Sequence, residues 1–219
     1  MKGIPDSSPS GVNRILADFP RLYPIIDTAY LESAGISVQR MAAAIAAADG
    51  VRIAQYRHKG SFTRARYEEA QAVASILRGR QVCFVMNDRA DIAMALEADG
   101  LHVGQTDLPP SVVRELVGDG MLLGYSTHNR DQLTDVECQW ADYLAIGPAF
   151  GTASKPDPDP TVGLEGIAAA RALVAKPLVA IGGITLGNAV GAFEAGADSV
   201  AMISGVSPSN LPMWVDLAS

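Results

Sequence analysis

The sequence predicts an α/β fold, a single-domain (βα)8 TIM barrel, on three observations. Eight short apolar runs alternate with eight longer amphipathic ones at a period of about 23 residues, with no break in composition. Runs such as Leu178-Val179-Ala180-Ile181 and Val200-Ala201-Met202-Ile203 are apolar throughout, as expected of strands covered on both faces. The first run ends Ile26-Asp27-Thr28, without the glycine-rich phosphate turn that usually follows the first strand of a doubly wound sheet. The barrel is therefore preferred over the open sheet.

Taken in order, residues 1–12 are rich in Pro, Gly and Ser and read as a flexible N-terminal segment, leaving 13–219 for the barrel domain. Strands are expected over 22–27, 52–58, 82–88, 100–105, 121–128, 143–150, 177–183 and 199–205. Helices are expected over 38–49, 64–78, 90–98, 110–117, 131–140, 164–174 and 186–195, with a short one over 211–217. Ala48-Asp49-Gly50, Ala98-Asp99-Gly100 and Ala195-Gly196-Ala197 supply glycine stop signals at helix ends. One residue runs against the pattern: Pro24 lies inside the first strand, where a closed barrel has no free edge to accommodate a missing N–H.

The 219 residues suit one large α/β domain, and 48% hydrophobic against 19% charged residues supplies a substantial core. Seventeen basic and 24 acidic side chains give a net charge of −7, which argues against nucleic acid or an anionic membrane as a partner. A local phosphate pocket remains compatible with that charge. Cys83 and Cys138 form neither a metal-ligand spacing nor a disulfide framework. With no signal-peptide core and no apolar run approaching 18 residues, a cytoplasmic location is expected. A homo-oligomer is compatible with the sequence.

In such a barrel the loops at the C-terminal strand ends build the active site, so what each strand delivers there carries the functional reading. The second ends Gln55-Tyr56-Arg57-His58-Lys59, with 55, 57 and 59 on one face: an amide, a guanidinium and an ammonium suited to an anion. The third ends Asn87-Asp88, and the loop after the fourth carries Gln105 and Asp107. Neighbouring parallel strands end level, which puts the two carboxylates at one rim, where they suit a hard cation such as Mg²⁺ shared with substrate phosphates. The plainer reading makes Asp88 a helix cap and Asp107 a loop residue. The fifth strand offers the Ser126 and Thr127 hydroxyls, as ligand contacts or as caps, and His128, as an acid–base group or a hydrogen-bonded rim histidine. The sixth runs into a long irregular stretch holding Thr152, Ser154 and Lys155, placed to close over a ligand or to serve as a Pro-rich connector. The seventh ends Gly182-Gly183 and the eighth Ser204-Gly205, the usual position of a barrel phosphate site. A cationic, metal-assisted rim opposite a neutral phosphate cup implies transfer of a diphosphate-activated group onto a phosphorylated acceptor.

Seven stretches in order, Q-Y-R-H-K, M-N-D-R, G-L-H-V-G-Q-T-D-L-P, G-Y-S-T-H-N, G-P-A-F-G-T-A-S-K, A-I-G-G-I and G-A-D-S-V-A-M-I-S, resemble the thiamine-phosphate synthase family from residue 22 to about residue 207. The resemblance implies a transferase that joins 4-amino-2-methyl-5-hydroxymethylpyrimidine diphosphate to thiazole phosphate, giving thiamine monophosphate and diphosphate. By position, it implies that Gln55, Tyr56, Arg57, His58, Lys59, Asn87, Ser126 and Lys155 hold the pyrimidine diphosphate. Arg57, Lys59, Ser126 and Lys155 would be catalytic. Asp88 and Asp107 would bind Mg²⁺ as the cofactor. Thr152, Ala153, Ser154, Gly183, Ile203 and Ser204 would hold the thiazole phosphate. The implied partners are these two small molecules.

The chain departs from the family at His58, where an acidic residue is usual, at Gly151, commonly Pro or another residue, and at Ser154, commonly Thr. His58 is expected to face away from 57 and 59 and to affect packing more than chemistry. Two other readings stay open: a thiazole tautomerase-like isomerase and a non-catalytic sensor of phosphate ligands. Retention of Asp88, Asp107, Arg57, Lys59 and Lys155 favours the transferase.

Overall fold

The computed structural model describes residues 11–152 and 159–219. Eight parallel strands close into a barrel in sequence order. They are β1 Leu22–Asp27, β2 Ile53–Arg57, β3 Cys83–Asn87, β4 Gly100–Val103, β5 Leu122–Thr127, β6 Tyr143–Ile146, β7 Leu178–Ile181 and β8 Ser199–Met202. The helices are α1 Gly11–Ala17, α2 Thr28–Ser33, α3 Val38–Ala47, α4 Arg64–Arg78, α5 Ala90–Ala95, α6 Pro110–Val117, α7 Arg130–Leu133, α8 Gly163–Leu173, α9 Ala189–Glu194 and α10 Leu211–Ala218.

The twofold alternation of strand side chains sorts the apolar residues into two cores. Tyr23, Ile25, Ile53, Cys83, Val85, Leu122, Tyr143, Ala145, Val179 and Ala201 fill the lumen. Their neighbours in sequence, including Leu22, Ile26, Tyr56, Phe84, Met86, Leu101, Leu123 and Leu144, face outward and pack against Met41, Ile45, Val73, Leu77, Val113 and Ile167 of the helices. Strands apolar on both faces are the direct consequence. Pro24 sits where β1 passes from pairing with β8, through Pro24 opposite Met202, to pairing with β2 from Ile25 onward. Its missing N–H therefore removes at most one ladder bond.

An aspartate just before each of three strands ties the barrel together at the opposite end from the cavity. Asp99 accepts from the Phe84 N–H, Asp142 from the Leu123 N–H and Asp198 from the Leu178 N–H, each at 2.8 Å. Asp142 and Asp198 also pair with Arg114 and Arg171. Ala98-Asp99-Gly100 thus opens a strand as much as it ends a helix, since Gly100 is the first residue of β4.

Several boundaries differ from expectation, each for a local reason. Gly11 and Val12, expected in the flexible segment, belong to α1, whose Val12 and Ile15 pack with Phe19 on the lumen core. α2 forms because the Asp27 carboxylate accepts from the Tyr30 N–H at 2.8 Å, a helix N-cap. The expected helix over 131–140 is broken: Asp135 accepts from the Glu137 N–H and starts a separate 3₁₀ turn, Val136–Gln139. β4, β6, β7 and β8 end earlier than expected, and α9 starts later, at Ala189. Several of the freed residues, among them Gln105, Gly147, Gly183 and Ser204, line the cavity.

Candidate active site

A cavity of about 360 Å³ opens at the C-terminal strand ends. Gln55, Arg57, Lys59, Asn87, Asp88, Asp107, Ser126, Thr152, Gly183, Ile203 and Ser204 all line it. Ala153, Ser154 and Lys155 lie outside the described residues. Two expected contacts do not reach it. Tyr56 is completely buried on the outer face of β2, where its hydroxyl donates to Glu69 of α4 at 2.7 Å. His58 has the same parity and turns to the Thr28 hydroxyl, 2.7 Å from Nδ1. Strand alternation, which puts 55, 57 and 59 inward, is what turns 56 and 58 out.

The cationic half is organised by ion pairs. Arg57 is held by Asp27, whose side chain is only 6% exposed and also caps α2. Breaking so buried a pair would leave an uncompensated carboxylate, at a cost of about 3–5 kcal/mol, so Arg57 is fixed in place. Lys59 pairs with Asp88, but its side chain is 53% exposed. Such open pairs contribute about 0–1 kcal/mol, so an incoming phosphate can recruit Lys59 cheaply.

Asp88 has φ 61°, an unusual left-handed conformation for a non-glycine residue. It does not cap the following helix: the N-cap of α5 is Arg89, which makes no side-chain cap bond. The Asp107 carboxylate turns back to accept from the Gly104 N–H at 2.8 Å. Burial raises Asp107 above the usual carboxylate range, Gly104 opposes this, and hydrogen bonding and repulsion from Asp88 add to the rise. Two crowded carboxylates with a hard-oxygen donor set fit a divalent cation, which would relieve their repulsion. Among the described residues no group of three or more His, Cys, Asp and Glu forms a self-sufficient metal cage. Asn87 adds a buried amide Nδ2 with no hydrogen-bond partner among the described residues.

Ser126 does not cap the next helix either, because Asn129 does so through the Gln132 N–H. Its Oγ lies 2.8 Å from His102 Nε2. Burial holds the His102 pKa down at about 4, with a smaller upward pull from Asp107. Thr127 donates to the Ala145 carbonyl, and His128 Nδ1 lies 2.6 Å from the Gly147 carbonyl. His128 is thus a hydrogen-bonded rim residue.

The opposite half contains no cation among its described residues. Gly182 and Gly183 have φ 92° and 64°. A Cβ on Gly183 would stand 2.5 Å from the Gly151 carbonyl oxygen, so the β7 loop needs glycine for its own packing against the β6 loop. Asn188 fastens this loop by accepting from the Thr185 N–H and donating to the Gly183 carbonyl, at 2.8 and 2.9 Å. Asn210 does the same after β8, with the Ser207 N–H and the Gly205 carbonyl, at 2.7 and 3.0 Å. Between the halves the walls are apolar: Ile25, Val179, Ile181 and Ala201.

Asp27, His102 and the two asparagines were not singled out as site residues by sequence. His102 carried a usable signal, a polar residue at an inward position of an otherwise apolar strand. The asparagine clamps carried a weaker one, the shared spacing of Gly183-Ile184-Thr185-Leu186-Gly187-Asn188 and Gly205-Val206-Ser207-Pro208-Ser209-Asn210.

Comparison with known proteins bears on this geometry directly. The family model described as thiamine monophosphate synthase matches residues 22–206. The thiamine-phosphate synthase of Koribacter versatilis is 45% identical over 186 residues, covering 84% of this chain and 88% of that one. That of Chloroflexus aurantiacus is 42% identical over 189 residues, covering 85% and 84%. The solved thiamine phosphate pyrophosphorylase of Pyrococcus furiosus superposes with a TM-score of 0.79 at 28% identity, over 93% of this chain and 97% of that one. The match runs from the first residue of β1 past the end of β8, taking in both halves of the cavity, and the chain belongs to the thiamine monophosphate synthase family.

Proposed function

We propose that the chain condenses 4-amino-2-methyl-5-hydroxymethylpyrimidine diphosphate with thiazole phosphate, releasing thiamine monophosphate and diphosphate. The observation that carries this reading is one cavity with two unlike anion-binding halves, a carboxylate-and-cation rim and a neutral glycine cup. A single phosphorylated substrate would not require both.

Asp88 and Asp107 are the residues that would hold Mg²⁺, which when bound would neutralise the diphosphate and make it a better leaving group. Arg57, pre-aligned by Asp27, and Lys59, released from Asp88, take up the remaining phosphate charge. The Asn87 amide supplies a donor that finds no acceptor among the described residues. Ser126 and Gln55 meet the pyrimidine ring. As diphosphate departs, positive charge develops on the pyrimidine methylene. The walls of Ile25, Val179, Ile181 and Ala201 exclude water that would otherwise capture it before the thiazole nitrogen does. The glycine cup, with Thr152, Ile203 and Ser204, holds the thiazole phosphate so that this nitrogen faces the methylene.

The test is direct. Purified protein is incubated with both substrates and Mg²⁺, and thiamine monophosphate and diphosphate are measured in equal amounts. No product under these conditions, combined with proton exchange on the thiazole phosphate alone, would replace the transferase with an isomerase. Among the described residues no helix is long and apolar enough to cross a membrane, and a location in the cytoplasm fits both small substrates.

A further inference from the structure

A continuous chain of hydrogen bonds crosses the barrel lumen at the floor of the cavity. Gln55 Nε2 donates to the Tyr23 hydroxyl at 3.2 Å, and the Tyr23 and Tyr143 hydroxyl oxygens are 2.8 Å apart. The Tyr143 hydroxyl is 3.0 Å from His102 Nδ1, and His102 Nε2 is 2.8 Å from Ser126 Oγ. Tyr23 and Tyr143 are 0–1% exposed and His102 is 7% exposed, so water does not compete for these bonds. Both ends of the chain, Gln55 and Ser126, line the cavity, as do Tyr23 and His102, whose polar atoms are engaged within the chain.

The order of donors follows from the first link. An amide NH₂ can only donate, so the Tyr23 oxygen accepts and its own proton must go on to Tyr143. Tyr143 then donates to Nδ1 of His102, whose neighbours on both nitrogens are hydroxyls rather than carboxylates, which favours the neutral imidazole. A neutral ring that accepts at Nδ1 carries its proton on Nε2 and donates it to Ser126. Ser126 is left with a hydroxyl proton to offer to the cavity, and Gln55 with its carbonyl oxygen and the second hydrogen of its amide.

We infer that Tyr23, Tyr143 and His102 are positioning residues that lock this polarity, so that the Gln55 carbonyl is presented as an acceptor and the Ser126 hydroxyl as a donor. The ligand that fits carries a donor and an acceptor side by side on one ring, the pattern of an exocyclic amine next to a ring nitrogen. This rests on the proposed reaction, whose aminopyrimidine has that pattern. A ring with an oxo group and a protonated nitrogen in the same places has the pattern reversed and meets donor with donor.

Two measurements test the chain separately from the reaction. In the substrate-free protein at pH 7, nitrogen-15 NMR of the His102 imidazole should show a single Nε2–H tautomer, and Tyr143→Phe should give a mixture of tautomers. An Nδ1–H tautomer in the unaltered protein overturns the inference, whether or not the protein makes thiamine monophosphate. In the reaction, Tyr23→Phe and Tyr143→Phe should each raise KM for the pyrimidine diphosphate about tenfold. The double variant should be no worse than the weaker single one, because one chain is being cut twice. KM for thiazole phosphate and the affinity for inorganic diphosphate with Mg²⁺ should stay within about twofold, which a general loss of structure would not produce. Folded variants with an unchanged pyrimidine KM would overturn the inference. Should both variants fail to fold, the tautomer of the unaltered protein still decides.

Discussion

The two halves of the cavity are built by different means. Around β2 to β4 the lining is charged side chains: Arg57 paired with Asp27, Lys59 with Asp88, and Asp107 held by the Gly104 N–H beside Asp88. Around β7 and β8 it is backbone, shaped by Gly182 and Gly183 and fastened by Asn188 and Asn210. The difference teaches what each half is for. An exposed pair such as Lys59 with Asp88 can rearrange as a metal and a leaving group come and go, around an Arg57 that stays fixed. A backbone cup cannot rearrange, and it suits a phosphate that only has to be kept still.

The largest effect should come from removing the charge of the first half without disturbing its shape. Asp88→Asn is the appropriate change, because asparagine tolerates the left-handed backbone that Asp88 adopts, whereas alanine would add strain. Turnover should fall about 100- to 1000-fold, as expected when a group that organises leaving-group charge is lost. Excess Mg²⁺ should recover part of it, and KM for thiazole phosphate should not change. Near-normal diphosphate release by this variant would dissolve the distinction between the halves.

The reciprocal change is Gly183→Ala. Its methyl would sit 2.5 Å from the Gly151 oxygen and 2.8 Å from Phe150, at a φ of 64°. Strain of about 1–3 kcal/mol should lower stability and push the β7 loop outward. KM for thiazole phosphate should then rise about tenfold while that for the pyrimidine diphosphate stays close to its original value, a split read from steady-state kinetics with each substrate varied in turn.

The contrast also explains what sequence could and could not reveal. The barrel was legible because strands apolar on both faces and glycine-ended helices need no long-range information. Arg57, Lys59, Asp88 and Asp107 were legible as rim groups because strand ends and side-chain parity fix where they point. The same parity, applied strictly, would have excluded Tyr56 and His58. Asp27 was not legible, since its pairing with Arg57 depends on β1 lying beside β2 in a register where Asp27 stands opposite Arg57. The lumen chain was hidden for the same reason: Tyr23 and Tyr143 are 120 residues apart and meet only when the barrel closes.

The response to acid should be just as unequal. Unfolded, the His102 imidazole takes up a proton near 6.5; folded, it waits until about 4. Between those values the unfolded chain binds more protons, so this contribution to stability is complete above about pH 6.5 and is lost as the pH falls toward 4, amounting to roughly 3 kcal/mol. Denaturant unfolding at pH 7 and pH 4.5 should show the loss, and His102→Asn should flatten it. An equally steep pH dependence in that variant would move the origin of acid sensitivity away from the β3–β5 side.

The smallest effects should separate the two clamps within the cup itself. Asn188 and Asn210 make the same pair of bonds, and each bond contributes about 1 kcal/mol. They are not equally replaceable. The Gly205 carbonyl that Asn210 holds also accepts from the Trp214 indole N–H at 3.0 Å, and Trp214 is completely buried. Among the described residues the Gly183 carbonyl has no such second donor, and Gly183 is the residue wedged against the β6 loop. Asn188→Ala should therefore raise KM for thiazole phosphate several-fold, and Asn210→Ala by less than about twofold. Trp214→Phe, which removes the indole donor while keeping most of the ring's volume, should make the two asparagines equivalent when combined with Asn210→Ala. If Asn210→Ala alone proves the more damaging, the β8 loop rather than the β7 loop bears the phosphate.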